Sequence, residues 1–535
     1  MLIPRWKPIC FTNIVVCALV FGLSLILAMP PAAAPGKSRP DAPSESRQQS
    51  RITGVAIAGA QPAGNFSGVA YRRTWGTVSG IVAPRDTIYG FDELTHDADG
   101  NYDYQSEFEI IAPEKPGTNS VIVVEAENRG RPVFLNALHE IEMAGPPSAT
   151  TNGGEPGNGF LFEHGTSYAR VQWQTGIAAS VPMRAEGVGE VIIRDFGRML
   201  AGRTQLDAKP SVDFGTYHTL ILGGISLSGF FIDTFLAEGF NADPGDGGVV
   251  FQGAIAVDGT GNWLALNQLA AEAGSKQFPY VIPDAKPLRA SEILGGHASD
   301  PFYIDIANYT DFYRLRASLT DVDTKNPRMR RYDWPSAHAP APIDQSGASA
   351  RASRCNGGVP VDLNPIAHGA YLRAVTLELE RELDVPSARQ APKLPPTTLF
   401  LLDPASSRTP NFNPLPGVRL SVPLVDEDAQ PFGGVRFPEV EHPVGRPVPV
   451  SVPPVVTTSI DATCGNLGGW KQFSEEELAK RYESQTNYVK LYAESLDRLI
   501  ARGYVLASDR EEMLKIAAAL YARRPAHTEA PGGQN

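Results

Sequence analysis

The stretch HTLILGGISLSGFF, residues 218–231, decides how this chain folds. The apolar run Leu220–Leu222 is followed by two glycines, then by Ser226 between Ile225 and Leu227, and then by a second apolar run. A buried strand that bends sharply into a helix produces this order of residues, and such a bend can present a nucleophilic serine hydroxyl. The alternative is a glycine-rich turn that only packs a strand against a helix.

The residues that flank Ser226 are small. Gly224 lies two positions before it, and Ser228 and Gly229 follow, which gives GxSxS where the common motif is GxSxG. Small residues are needed there because neighbouring backbone crowds the serine. The motif alone is weak evidence, but the apolar strand before it and the apolar helix after it are the context that it requires. Together they favour a nucleophile over a packing turn.

Segments on both sides of this bend alternate between strand and helix patterns. The continuous apolar runs in 119–130 and 249–259 are typical of buried parallel strands, whereas 187–202 has apolar residues at helical spacing. Strands that alternate with helices form βαβ units around a parallel sheet covered on both faces. The sequence therefore predicts an α/β fold.

Changes in composition along the chain indicate its division into segments. We predict a signal peptide or anchor (1–34), a flexible linker (35–51), a β-rich N-terminal extension (52–113), the α/β core (114–385), a proline-rich segment (386–473) and a C-terminal helical pair (474–525). The proline-rich segment either caps the site or wraps the surface passively, because its prolines exclude long helices and central strands. Capping boxes at Ser474 with Glu477 and at Ser508 with Glu511 are predicted to open the two helices.

The N-terminus has the layout of an export signal. Arg5 and Lys7 precede an apolar run from Ile14 to Ala28, and small residues and prolines follow. We expect a periplasmic or secreted protein. If the run is not cleaved it could anchor the chain in a membrane, although its length of about 15 to 18 residues is marginal against the roughly 20 needed to span.

Composition also limits the partners. The 535 residues carry a net charge of −12 without clustered Lys and Arg, which disfavours nucleic acid. No Walker loop, GxGxxG after a strand or HExxH is present, so no cofactor or metal is predicted. The acidic turn at 96–103 lacks the terminal glutamate of an EF-hand loop and is predicted to be a solvated turn. A small molecule is the expected partner, and no protein partner is implied.

Two cysteines lie outside the signal segment, Cys355 and Cys464. In an exported protein such a pair most naturally forms one disulfide bond. The alternative is two buried free thiols.

A serine hydroxyl becomes a nucleophile when a histidine takes its proton and an acid orients that histidine. On a fold of this kind the three residues follow in the order serine, acid, histidine. His338 is the predicted base, since it lies in a loop of small residues and prolines just after a short strand-like stretch. The other histidines after Ser226 are less suitable by position: His297, His368, His442 and His527.

The acid should follow a strand between the serine and the histidine. Asp311 lies at such a strand-to-helix junction, and Asp258 competes one strand earlier, whereas Asp305 lies inside a predicted strand. An oxyanion hole is also needed. We predict that it uses the backbone N–H of Leu227 and a donor from the loop ENRGRP, at Arg129. Arg129 or Arg131 could also steer an anionic substrate, and the alternative is an ordinary surface arginine.

Several blocks carry a resemblance to a known family. They include NSVIVVEAENRGR, GFLFEHG, the long block that starts GGISLSGFFIDTF, NYTDFYRLRASL, CNGGVPVDLNPIAHGAYLRAVTLEL and the terminal RYESQTNYVKLYAESLDRLIARGY. Over about residues 66 to 525 the chain resembles the alpha/beta hydrolase domain family of exported bacterial proteins. This resemblance implies an alpha/beta-hydrolase fold with a mostly parallel central sheet, an N-terminal β extension, a proline-rich cap or wrap and C-terminal helices.

The resemblance also assigns site residues. It implies Ser226 as nucleophile, Asp311 at the position of a glutamate before an aromatic pair, and His338 as the histidine after the last strand. Leu227 and Phe230 stand where the family often has Gln and Arg, which implies a more apolar pocket beside the nucleophile. The approach to His338 also departs from the family, since YDWPSAHAP replaces a glycine-containing stretch.

Three functional hypotheses follow. The first is a serine hydrolase that cleaves carboxylic esters through an acyl-enzyme, without a cofactor. The second is an acyltransferase that uses the same triad, since either water or an alcohol can accept the acyl group. The third is an exported binding protein that kept the fold without the chemistry. Metal-dependent hydrolysis would need a ligand cluster, and the sequence offers none.

Overall fold

The structure is a computed structural model. It describes residues 49–86, 88–115, 117, 120–140, 157–174, 176–178, 180–182, 185, 187–264, 286–320, 326–337, 362–403, 417–418, 420–449 and 468–523. The predicted signal and linker up to residue 48, the base His338, and Cys355 and Cys464 all lie outside the described residues. Among the helices that the structure does describe, none combines the length and apolar character needed to cross a membrane.

A nine-stranded sheet forms the centre of the molecule. Its strands are β1 (Arg51–Phe66), β2 (Val69–Val82), β3 (Tyr102–Pro113), β4 (Ser120–Ala126), β5 (Thr166–Val171), β6 (Tyr217–Ile225), β7 (Gly253–Val257), β8 (Phe302–Asn308) and β9 (Met329–Trp334). They are ordered β1-β2-β3-β5-β4-β6-β7-β8-β9. Neighbours from β5 to β9 run parallel, whereas β1, β2 and β3 pair antiparallel with one another and β3 pairs antiparallel with β5. The predicted mostly parallel sheet is confirmed.

The predicted N-terminal extension (52–113) supplies the three antiparallel strands, and it continues the central sheet. Its outer strand β1 is irregular, with register shifts between Ile52 and Gly54, Ile57 and Gly59, and Pro62 and Gly64. At the opposite edge, Thr397 from the proline-rich segment forms a parallel bridge with Tyr332 of β9.

Helices cover both faces of the sheet. They are α1 (Val133–His139), α2 (Phe160–Glu163), α3 (Val188–Leu200), α4 (Leu227–Ala237), α5 (Ala290–Ile293), α6 (Asp311–Arg314), α7 (Gly369–Glu382), α8 (Pro438–Glu441), α9 (Glu475–Tyr482), α10 (Gln485–Ala501) and α11 (Arg510–Ala522). Successive strand side chains point to opposite faces. In β4, Ile122 and Val124 pack with α3 and α4, whereas Val121 and Val123 belong to the second core with α1, α7, α10 and α11.

The C-terminal region contains three helices where a pair was predicted. The capping box at Ser474 and Glu477 is present, but α9 ends before Glu483, whose φ of 62° is incompatible with helix. The predicted box at Ser508 is wrong. Ser508 lies in a 3-10 turn, and α11 begins after Asp509, which makes no side-chain cap. Propensity alone cannot distinguish the two serines, because each is followed three residues later by a glutamate.

The proline-rich segment packs against the end of β8 and helix α6. Leu399 and Val422 from this segment form a small core with Tyr309, Phe312 and Tyr313. A second, two-stranded sheet pairs β10 (Gly445–Val448) with β11 (Gly469–Gln472). The segment therefore contacts the helix that carries the predicted acid, so part of it lies beside the site rather than on a remote surface.

Candidate active site

Ser226 occupies the bend between β6 and α4. Its backbone has φ 64° and ψ −120°, a combination that non-glycine residues rarely adopt. The Ser226 N–H donates to Val257 O of the adjacent β7 at 2.9 Å, and Ser226 O accepts the Gly229 N–H at 2.8 Å. The residue is partly exposed although both flanking elements are buried. The bend therefore holds a strained serine at the end of a buried strand.

Close packing explains why the residues around Ser226 are small. A Cβ added to Gly224 would lie 2.8 Å from Ser228 Cβ, and a Cβ added to Gly229 would lie 2.7 Å from Val257 O. Ser228 itself is fully buried against this contact. A serine thus fills the position of the motif's last glycine without opening the bend, and the predicted strand, bend and helix are all present.

A tight turn beside the bend carries Arg129, the predicted oxyanion residue. Arg129 (φ 54°) and Gly130 (φ 73°) form its tip, and Asn128 and Arg131 close it by mutual backbone hydrogen bonds of 3.0 and 3.2 Å. Two positive φ values in succession are typical of a type I′ turn. The Asn128 side-chain amide donates to Ile225 O at 2.9 Å, directly before Ser226. This bond ties the turn to the end of β6.

The two predicted oxyanion donors differ in their surroundings. Leu227 is the first residue of α4, so helix geometry provides no intrahelical acceptor for its N–H. The Arg129 N–H instead donates to Gln174 Oε1 at 2.9 Å. A substrate oxygen at Arg129 would have to take the place of that side-chain amide.

Asp258 and Asp311, the two candidate acids, lie together. Asp258 follows β7, Asp311 begins α6 just after β8, and both are fully buried. The Asn308 side-chain amide donates to Asp258 Oδ1 at 2.6 Å, while its backbone N–H donates to Asp311 Oδ2 at 2.8 Å. Asn308 therefore bridges the two carboxyl groups. Asp305 instead lies inside β8 and pairs with Arg331, so it is a structural residue.

Charges around this pair come from two arginines. Burial raises the pKa of Asp258 well above its ordinary value, and the negative charge of Asp311 adds to the effect. Burial also lowers the pKa of Arg314 to about 10, even though part of its surface is exposed, and the nearby Arg129 acts in the same direction. Asp311 and Asp258 oppose that decrease. Arg314 and Arg129 therefore belong to the same electrostatic neighbourhood as the two carboxyl groups.

The described chain leads from β9 to the residue before His338. The Tyr309 N–H donates to Ser336 O at 2.9 Å, and Ala337 and Thr310 both line the space in front of Gly468. Residue 337 is thus close to the start of α6, whereas His338 lies outside the described residues. The role predicted for His338 stays a prediction.

The other histidines occupy different places. His297 is exposed on a turn, His368 packs against Trp334 with 5.6 Å between ring centroids at the start of α7, and His442 follows α8. His527 lies outside the described residues. Within the described ranges, no group of three or more His, Cys, Asp or Glu side chains is arranged to hold a metal ion.

Sequence reasoning missed the residues that hold the site together. Asn128 fixes the turn, Asn308 bridges the two aspartates, and Gln174 accepts the Arg129 N–H. Asn308 was detectable, because it ends a strand directly before Asp311. Gln174 is 45 residues away from Arg129 along the chain, and no local pattern connects them.

Comparison with known proteins identifies the family. The solved structures that resemble the chain include a serine hydrolase without lid from Xanthomonas campestris (11% identity, 44% of this chain and 80% of the other, TM-score 0.20). Others are an esterase from Pyrobaculum calidifontis (12%, 53% and 80%, TM-score 0.24) and a glucuronoyl esterase from Solibacter usitatus (11%, 51% and 70%, TM-score 0.25). No curated protein matches the chain. Residues 164–515, about two thirds of the sequence, match the alpha/beta hydrolase domain family, and the protein therefore belongs to that family.

Proposed function

We propose that this protein is a serine hydrolase that cleaves carboxylic esters through an acyl-enzyme intermediate. The observation that carries the proposal is the strained bend at Ser226. A turn with φ 64° and ψ −120° is costly for a serine, and a residue that served only to turn the chain would be better supplied by glycine. Such strain is found where a side chain must be held in one reactive position.

In the proposed reaction, Ser226 Oγ attacks the ester carbonyl carbon while His338 accepts the hydroxyl proton. The negative charge that develops on the carbonyl oxygen is stabilised by the Leu227 N–H and by a donor at Arg129, each worth about 3–4 kcal/mol. Collapse of the tetrahedral intermediate expels the alcohol, which takes the proton from His338. Water then attacks the acyl-enzyme with His338 again as base, and the carboxylic acid leaves.

Asp311 is the proposed acid of the triad because of its place in the sheet. It follows β8, which pairs with β9, and β9 leads to His338. Asp258 follows β7 and is one strand further away. An acid next to the histidine fixes the tautomer of the ring and stabilises its positive charge. The serine is followed by the apolar Leu227 and Phe230, both of which are buried, and the proposed acyl group is correspondingly apolar.

Labelling with a fluorophosphonate probe tests the proposal, since such probes modify activated serines. We expect the wild type to be labelled and to hydrolyse a short-chain p-nitrophenyl ester, and Ser226→Ala to lose both properties. Ser228→Ala is the matched control, because that serine is two residues away and fully buried. A folded wild-type protein that is neither labelled nor active would contradict the proposal and favour a non-catalytic binding protein.

A location outside the cytoplasm is part of the proposal. Its support is the N-terminal sequence, in which basic residues, an apolar run and small residues follow one another.

A further inference from the structure

Two buried carboxyl groups meet at the candidate site, although a triad uses only one acid. Asp258 and Asp311 are each 0% exposed, and they are close enough for the charge of Asp311 to raise the pKa of Asp258. Asn308 contacts both, with its side-chain amide on Asp258 at 2.6 Å and its backbone N–H on Asp311 at 2.8 Å. The ends of β7 and β8 lie side by side, since the Asp258 N–H donates to Ile306 O at 2.7 Å. This pairing brings Asp258 close to Asn308 and Asp311.

Two neighbouring carboxyl groups that are both buried away from water favour a state in which only one of them is ionised. A protonated carboxyl group can donate a hydrogen bond to an ionised neighbour, whereas two ionised carboxylates are acceptors only. The pair therefore has one proton and one negative charge. The charged groups that face it are few among the described residues: Arg314 lies within electrostatic reach on α6, and Arg129 faces Arg314 from the neighbouring turn.

The order of the strands β7, β8 and β9 indicates which of the two aspartates is ionised. Asp311 follows the strand next to β9, whereas Asp258 follows the strand beyond it. The charged carboxylate is needed beside the histidine, so Asp311 is the ionised partner. Asn308 donates one hydrogen bond to each carboxyl group, at 2.6 Å to Asp258 and at 2.8 Å to Asp311, so the assignment rests on the strand order. The remaining position for the proton is Asp258.

We infer that Asp258 is protonated at neutral pH and donates a hydrogen bond to Asp311, so that it is a positioning residue for the acid of the triad. This inference rests on the proposed function. The donated bond fixes the rotamer of Asp311 and withdraws part of its charge. The residue at 258 acts through Asp311 and does not touch the substrate.

Four proteins test the inference: wild type, Asp258→Asn, Asp258→Ala and Asp311→Asn. An asparagine amide donates the same hydrogen bond as a protonated carboxyl, so Asp258→Asn should keep kcat within about threefold of wild type. Asp258→Ala loses the donor and should lower kcat about 10- to 100-fold at unchanged KM. Asp311→Asn should lower kcat about 1,000- to 10,000-fold, because the histidine loses its charged partner.

Infrared spectroscopy locates the proton independently of catalysis. The difference spectrum of wild type minus Asp258→Asn at about pH 8 should contain the C=O stretch of a protonated carboxyl group that shifts in D2O. A carboxylate band in its place would overturn the inference. A loss of kcat in Asp258→Asn as large as in Asp311→Asn would also overturn it, since Asp258 would then be a charged acid.

Different results would contradict the proposed function and the protonation of Asp258. If the folded wild type hydrolyses no ester and takes no fluorophosphonate label, the proposed function is wrong, and the infrared comparison still decides whether Asp258 has the proton. If the wild type is active and the difference spectrum shows an ionised Asp258, the proposed function stands and the inference is wrong. Thermal unfolding of each variant establishes that the losses are not due to misfolding.

Discussion

Replacing Gly229 with alanine tests whether close packing at the bend controls Ser226. The added Cβ would lie 2.7 Å from Val257 O and 2.8 Å from Gly259 N. Ordinary van der Waals contacts of a Cβ begin at 3.4 Å, so α4 and the end of β7 must separate by roughly half an ångström or more. Both obstacles are backbone atoms, which cannot rotate away. Val257 O is also the acceptor of the Ser226 N–H, so this separation moves the nucleophile.

Two opposing effects set the size of the change. Alanine is favoured over glycine inside a helix by about 0.5–1 kcal/mol, whereas overpacking costs about 1–3 kcal/mol. We expect Gly229→Ala to lower the free energy of unfolding by about 1–2 kcal/mol. A misplacement of this order at the nucleophile should lower kcat about 10- to 100-fold.

Urea unfolding and steady-state hydrolysis of a p-nitrophenyl ester measure the two quantities. Gly54→Ala is the matched control, because a Cβ at that position of β1 has nothing within 4 Å, and we expect unchanged activity and no loss of stability. If Gly229→Ala is as stable as wild type and equally active, then packing between α4 and β7 does not determine the position of Ser226, and the reasoning is wrong.

Two further predictions concern the pH dependence of stability and the location of the protein. Burial raises the pKa of Glu380 from 4.5 to about 7, despite a 2.7 Å hydrogen bond from Thr166 Oγ1. The protonated Glu380 carboxyl therefore contributes fully to the free energy of unfolding below about pH 4.5. This contribution, about 3 kcal/mol, is lost as the pH rises towards 7. Between pH 5 and pH 8 the free energy of unfolding should fall more in wild type than in Glu380→Gln, and parallel pH curves in urea titrations would refute this. For location, the full chain expressed in a bacterial host should be recovered outside the cytoplasm, and recovery in the cytoplasm alone would contradict export.

The central part of the fold could be predicted because its signals are local. The apolar runs that became β4, β6 and β7 are continuous, and buried parallel strands produce that pattern in any sequence context. The bend at Ser226 was predictable for the same reason, since strand, small residues and helix follow one another directly. Membership of the alpha/beta hydrolase domain family is confirmed by the match over residues 164–515.

What the sequence did not predict depends on residues that are distant along the chain. The joining of 52–113 to the central sheet depends on pairing between β3 and β5, about 60 residues apart. The proximity of Asp258 and Asp311 depends on the register of β7 and β8. In the sequence, each residue follows a predicted strand, so the two were alternative candidates for the acid of the triad. The break in the C-terminal helix at Glu483 has no glycine or proline to signal it, so helical periodicity continued through it.

The irregular outer strand β1 and the bridge at Thr397 have a consequence for self-association. A flat edge strand presents a row of backbone N–H and C=O groups that another chain can extend into intermolecular β structure. Three register shifts interrupt β1 along its length, and Thr397 occupies backbone groups of Arg331 and Asp333 at the other edge. Both borders of this large sheet thus resist templated aggregation.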